Sequence, residues 1–477
     1  GGAITPSGDA LAVNIDNPFL TVALAGRLAN AASITSIAKT GLGNLTLNYT
    51  GIASSVATSL SGGGTLGILH DGDGDMHSDV LSIGAITGLS QPASIIVGRA
   101  GASALWNQAI NKVIAPASLT DQINGGLSVT NNNQYQLRVA DSFALVPLVN
   151  GAAPAFNVST ASNSNTLAGL RLTGVISGGR TGAGNVGLTK TGDGTLELTN
   201  GGNTFGGSGT VIDVTAGVLA VPNDGALGDS ANVVRLSANS GTQGFRATDT
   251  FTTARTFNLN AATAGIDVAA GATLTLTGAF AGAVTNALQK NDLGMLVISA
   301  NNSSRTGATT IVAGVIQVEH VNALGSGQVN VAAPGNNTIP GGAALWLSGG
   351  ITFNAPINLS TGGGNGWGID YTGAIYSASG NNTLTGAITN TSAVGLIIGV
   401  ADGSTLNIAS GAMQNTNSPA FNTVGAGVIN LGSYTPGTAT FAKLGTGTSN
   451  LTGTASSTAA ISVNQGTLNV SGAGAFT

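Results

Sequence analysis

The sequence predicts an all-β solenoid of short strands joined by glycine turns and stacked rung upon rung, with a partly helical N-terminal region. Three observations predict it. First, Thr195, Glu197 and Thr199 alternate with Leu196 and Leu198, a period of two that puts leucines on one face and polar groups on the other. Second, the same strand, turn and strand text returns along the chain, and repetition at this scale builds solenoids rather than separate globules. Third, the composition joins 75 glycines in 477 residues to 42% hydrophobic and only 7% charged residues. So apolar a chain buries its side chains, although its glycine, serine and asparagine content resembles that of disordered segments.

The fullest copy runs from Leu188 to Gly228. Lys190, Gly192, Gly194, Leu196 and Leu198 open it, a Gly/Asn turn follows, and Gly217, Leu219 and Val221 close it ahead of Ala226-Leu227-Gly228. A second copy carries Lys290, Gly294, Leu296 and Ile298, then Gly314, Ile316 and Val318, and ends on Ala323-Leu324-Gly325. A third carries Lys443, Gly445, Gly447 and Leu451, then Gly466, Leu468 and Val470; a weaker one opens at Lys39, Gly41, Gly43, Leu45 and Leu47. Lys39, Lys190, Lys290 and Lys443 hold one equivalent place, where they are expected to cap turns along one edge of the solenoid. Recurring asparagines at equivalent turns are expected to stack as amide ladders.

Lys-x-Gly-x-Gly-x-Leu-x-Leu, a Gly/Asn turn and Val-x-x-Gly-x-Leu-x-Val resemble the autotransporter-associated β-strand repeat of secreted bacterial passenger domains. Three positions depart from it: Asp292 stands for the first glycine, Ile316 for a leucine and Ser449 for the first strand leucine. Clear copies cover about a quarter of the chain. The resemblance implies a right-handed parallel β-helix exported to the cell surface, and no activity, because the repeat is scaffold. With rungs of roughly 20 to 25 residues and strands about 4.8 Å apart, the expected body is a rod on the order of 90 to 110 Å long.

Residues 1–165 read as an N-terminal β-rich region with an acidic loop and a short helix, a cap or insertion; residues 166–477 read as repeat-bearing rungs. The loop His70 to Asp79 alternates aspartate with glycine, and Asp71, Asp73 and Asp75 are candidate Ca²⁺ ligands, since Ca²⁺ takes six to eight oxygens. The EF-hand pattern fails there, with Met76 at the glycine position and Ser82 at the bidentate glutamate. A solvated acidic turn and a transition-metal site on His70 and His77 are the other readings of the loop. Ser103 to Ile114 places Leu105, Trp106, Ala109, Ile110 and Val113 at helical spacing ahead of Pro116, which predicts a helix.

Fourteen Lys and Arg against 19 Asp and Glu give a net charge of -5, and no basic run offers phosphate contacts, so nucleic acid is not an expected partner. The absence of cysteine suits export through an oxidising envelope. No apolar run reaches the ~18 residues of a membrane helix. The start lacks Met and the end falls inside a repeat copy, so a segment of a longer protein is expected. Catalysis finds little footing. The acids Asp193, Glu197, Asp213, Asp224, Asp267, Asp292, Glu319, Asp370 and Asp402 are scattered, and the chain has three histidines, His70, His77 and His320. Gly228-Asp229-Ser230 lacks the spacing of a nucleophile elbow, and Gly362-Gly363-Gly364-Asn365 is followed by no Lys-Ser/Thr. The expected function is a non-catalytic extracellular or cell-surface scaffold or adhesin of passenger type. A self-assembling filament or sheath subunit is the alternative, and a carbohydrate-active β-helix enzyme a lesser one. The expected partners are cell-surface or matrix components, or further copies of the chain.

Overall fold

The computed structural model describes residues 4–7, 10–24, 34–49, 55–70, 80–88, 93–99, 112–119, 125–132, 134–147, 151–160, 168–333, 342–361, 372–390, 395–415, 420–437, 440–453, 455–457 and 460–471. Two units divide the chain: Gly1–Ser237 with Gln243–Phe245, and Ala238–Thr242 with Arg246–Thr477. Each is a parallel β-helix. Among the described residues, Ile4–Ser7 pairs antiparallel with Ala10–Asn14, whereas strand pairs from Gly126–Asn131 with Ala155–Thr160 to Thr448–Leu451 with Thr467–Val470 are parallel.

In the first unit the chain cycles through three faces. The first holds Ala10–Asn14, Ser36–Thr40 and Ala57–Leu60; the second runs from Thr21–Leu24 through Asn44–Asn48 and Ala155–Thr160 to Val186–Thr191 and Val211–Val214. The third runs from Val80–Ile83 to Thr195–Leu198 and Val218–Val221. Because the parallel register is kept from rung to rung, like residues stack into columns. Leu137, Leu170, Leu196 and Leu219 form one, all buried. Each such leucine contributes about 1.5 to 3 kcal/mol by leaving water.

The second unit repeats the plan. One face holds Thr263–Val268, Ala287–Asn291 and Thr309–Ile311; the next holds Thr273–Leu276, Met295–Ile298, Gly314–Val318 and on to Thr440–Lys443. A third holds Asn381–Leu384, Thr405–Ile408, Val428–Leu431, Thr448–Leu451 and Thr467–Val470. Its central column is Leu274, Leu296, Ile316, Leu345, Ile375 and Ile398. The replacement of leucine by Ile316 changes nothing here, since a β-branched side chain packs as well on a pleated face.

Two expectations are corrected. Among the described residues the N-terminal region shows no α-helix: residues 103–111 lie outside the described residues, and the end of the predicted helix is the strand Val113–Pro116, paired with Val80–Ile83. Val113 and Ile114 are β-branched and face partners on the neighbouring rung, so tertiary pairing decides against the helical spacing. Among the described residues the one helical element is the 3-10 turn Asp224–Leu227, capped by Asn223. The asparagine ladder forms, but within strands rather than at turns. Asn469 donates to Asn450 at 2.8 Å, Asn450 to Asn430 at 2.7 Å and Asn430 to Asn407 at 2.8 Å, each on the same outward position of its rung.

Candidate functional site: lysine-capped corners

The repeat lysines point inward. Lys39, Lys190, Lys290 and Lys443 are at most 2% exposed, each on a core position of its strand. Lys190 stands in a column between Phe156 and Val214. What holds an ammonium there is the glycine corner that follows. Lys190 Nζ donates to the carbonyls of Thr191 at 2.7 Å and Gly192 at 2.8 Å, in its own rung, and of Ala216 at 3.1 Å, in the next. Lys290 repeats the cage on Asn291 and Asp292, each at 2.7 Å, and Ala313 at 3.1 Å. Lys39 donates to Gly41 at 2.6 Å and to Gly63 of the next rung, and Lys443 to Gly445. An ammonium has three donors, and three corner carbonyls use them all.

The corner demands its glycines. Gly192 and Gly217 adopt φ of 73° and 66°, and a Cβ on Gly217 would lie 2.6 Å from Lys190 Nζ and 2.4 Å from the Gly192 carbonyl oxygen. The repeat is thus one corner counted twice. Val186–Thr191 pairs with Val211–Val214, Thr195–Leu198 pairs with Val218–Val221, and the lysine ties the two levels together. The lysines do not share one edge. In the first unit Lys39 caps the corner from first face to second and Lys190 that from second to third; in the second unit Lys290 and Lys443 likewise occupy successive corners.

Departures from the repeat are compensated locally. Asp292 takes the left-handed φ of 62° that glycine would hold, its carboxylate accepting from Leu293 N at 2.8 Å and from Arg246 at 2.7 Å. Ser449 lies between Ile429 and Leu468 in its column, fully buried, and shares a 2.9 Å hydrogen bond with Thr423. Thr423 is paired with Lys443 in the strand register, so Phe421 to Leu431 is a lysine-free relative of the same corner that the sequence pattern missed. Its text, Asn422-Thr-Val-Gly425-Ala-Gly427, keeps the glycine spacing that would have found it. Asn203 and Asn302 were also missed as core residues. Each is buried and donates to the alanine of the Ala-Leu-Gly closure, Ala226 at 2.8 Å and Ala323 at 2.7 Å.

Burial pushes the Lys190 ammonium down to about 7 against a weak upward pull from Asp193, and Lys290 down to about 8 against Asp267 and Asp292. Lys39 and Lys443 are lowered by burial as well. A depressed lysine is a nucleophile where substrate reaches it, but Lys190 and Lys290 are fully buried with every donor engaged.

The acids are spoken for rather than gathered. Asp213 holds Arg235 and Ser237 at 2.6 Å each, Glu197 faces Arg171 at 3.3 Å, and Asp267 accepts from Asn291 at 2.8 Å. Asp193 accepts from Thr160 N and Glu319 from Gln317, while Asp224 lies in the 3-10 turn and Asp402 accepts from Gly403 N. His320 Nδ1 accepts from Asn322 N, and Asp229 caps Ala231 N beside an exposed Ser230. A groove of about 260 Å³ lined by Thr273, Met295, Val315 and Trp346 carries no titratable group. Among the described residues no three His, Cys, Asp or Glu side chains converge as a metal site. Asp71, Asp73 and Asp75, with His77, Asp370 and the Gly362 to Asn365 turn, lie outside the described residues.

A parallel β-helix whose repeat closes on a glycine corner is the class of protein these features define. The passenger-associated-transport-repeat matches residues 188–221, 288–318 and 441–470, so the chain carries three copies of that repeat. It is 33% identical over 182 residues to the adhesin BmaC autotransporter of Brucella suis biovar 1 (strain 1330), a match covering 34% of this chain and 5% of that protein. The chain thus spans about 5% of the length of this relative. No solved structure matches the chain. The repeat and the relative place the chain at the bacterial cell surface or outside the cell. Among the described residues no helix is long and apolar enough to cross a membrane.

Proposed function

We propose that the chain is a non-catalytic, adhesin-type segment of a surface passenger, whose role is to present a stable β-helical wall to cell-surface or matrix components. The observation that carries the reading is the inward use of its reactive groups. Lysines and buried asparagines are spent on capping corners and Asp213 on holding Arg235, while the outward face of the asparagine ladder is uncharged. The kinship with an adhesin over 182 residues supports it. Display of residues 1–477 on a non-adherent bacterium tests it, with attachment counted on cell monolayers and on immobilised matrix glycoproteins. Attachment above that of the undisplayed strain is expected. Surface exposure without added attachment, or release of reducing sugar from polysaccharide by the purified chain, contradicts it.

Calcium at Asp71, Asp73 and Asp75 belongs to this reading as a proposal supported by the alternation of carboxylates with glycine. Chelation is expected to lower the thermal midpoint of the full chain and added Ca²⁺ to restore it. An Asp73→Asn variant indifferent to both is the matching control.

A further inference from the structure

We propose that the corners stapled by Lys39, Lys190 and Lys290 are local stability maxima of their units, clamps that keep two successive coils together while the lysine-free coils around them open first. The inference concerns the fold and stands independently of the adhesive function. Separating two rungs at an ordinary corner breaks parallel-ladder hydrogen bonds, which every rung possesses. Separating them at Lys190 also strips an ammonium from the Ala216 carbonyl of the next rung, while Thr191 and Gly192 hold it in its own. Lys290 spans the same two levels through Asp292 and Ala313, and Lys39 through Gly41 and Gly63. An amine hydrogen-bonded inside a sealed corner is held more strongly than its counterpart in water, and a half-opened corner leaves it and its carbonyls short of partners before water can reach them.

Two features make the clamp local. Both strand pairs of the corner lie within one repeat, residues 186–221 in the first unit and 287–318 in the second, so the staple closes contacts between segments about 20 to 25 residues apart. The glycine opposite the ammonium has no side chain to hold the gap if the lysine leaves, since Gly217 lies against Nζ itself. The Phe421 to Leu431 coil shows the contrasting case, in which a Thr423–Ser449 hydroxyl pair fills the position with one shared hydrogen bond.

Hydrogen–deuterium exchange of the full chain, resolved by peptide, tests the proposal. Residues 186–191 and 211–221 are expected to exchange at least tenfold more slowly than the lysine-free strand Ala93–Gly98 of the same unit, and residues 287–298 and 309–318 more slowly than Leu396–Val400. Lys190→Met is expected to remove most of that excess in 186–221 and leave Ala93–Gly98 unchanged, with Lys190→Gln, which keeps two donors, losing less. A flat wild-type profile overturns the proposal even if a variant fails to fold. So does a Lys190→Met loss spread evenly over the unit, or a fully folded Lys190→Met chain with undiminished protection.

Discussion

Methionine in place of Lys190 keeps the length of the side chain and leaves the carbonyls of Thr191, Gly192 and Ala216 without a donor. Each buried acceptor so orphaned costs about 1 to 3 kcal/mol, partly offset because no ammonium need be desolvated. A net loss of about 2 to 4 kcal/mol in urea unfolding is expected for Lys190→Met and for Lys290→Met. The same lysines set a pH dependence. Their folded pKa values, about 7 and about 8, lie below the ordinary 10.5, so between these limits the unfolded chain binds protons that the folded chain does not. Stability therefore rises with pH in this window, with the burial cost present in full below pH 7. From pH 7 to pH 9 the gain is on the order of 2 kcal/mol from Lys190 and about 1 kcal/mol from Lys290, and Lys190→Met is expected to remove the larger part of the slope. Tyr49, raised by burial above its ordinary 10.0, works in the opposite direction only at higher pH. Asp292→Ala is expected to cost about 1 to 2 kcal/mol, mostly through the left-handed φ of 62° that alanine tolerates poorly, since its partly exposed pair with Arg246 is worth little.

Among elements, the asparagine ladder has a graded consequence. Asn430 and Asn450 each donate once and accept once, whereas Asn469 at the last described rung donates to Asn450. Asn450→Ala is expected to cost about 1 to 2 kcal/mol and Asn469→Ala about half as much, read as shifts in the urea midpoint. The strand alternation at Thr195 to Thr199 and the glycine corners were legible because period two and positive φ are local properties. The end of the helix expected before Pro116 is a strand because Val113 and Ile114 follow partners about 33 residues earlier, which spacing alone cannot reveal. Thr423 escaped notice, and Ser449 stood only as a departure from the repeat, for the same reason. Each looks like a lapse in a leucine and lysine pattern until the register places them together. The lysines act as turn caps as expected but lie at successive corners rather than along one edge, and nothing in a single strand says that a charged group turns inward.

At the scale of the whole molecule, the chain has five lysines, Lys39, Lys112, Lys190, Lys290 and Lys443, and all five are buried. Four hold the repeat position, so its cationic amines serve the β-helix rather than an outside partner. The central claim is that these lysines are internal caps, and amine acetylation at pH 8 followed by mass spectrometry of the native chain tests it most directly. The structure predicts that Lys190 and Lys290 stay unmodified until denaturant is added and then react like free lysine. Rapid acetylation of either in the folded chain would contradict the capped corner and the account built on it.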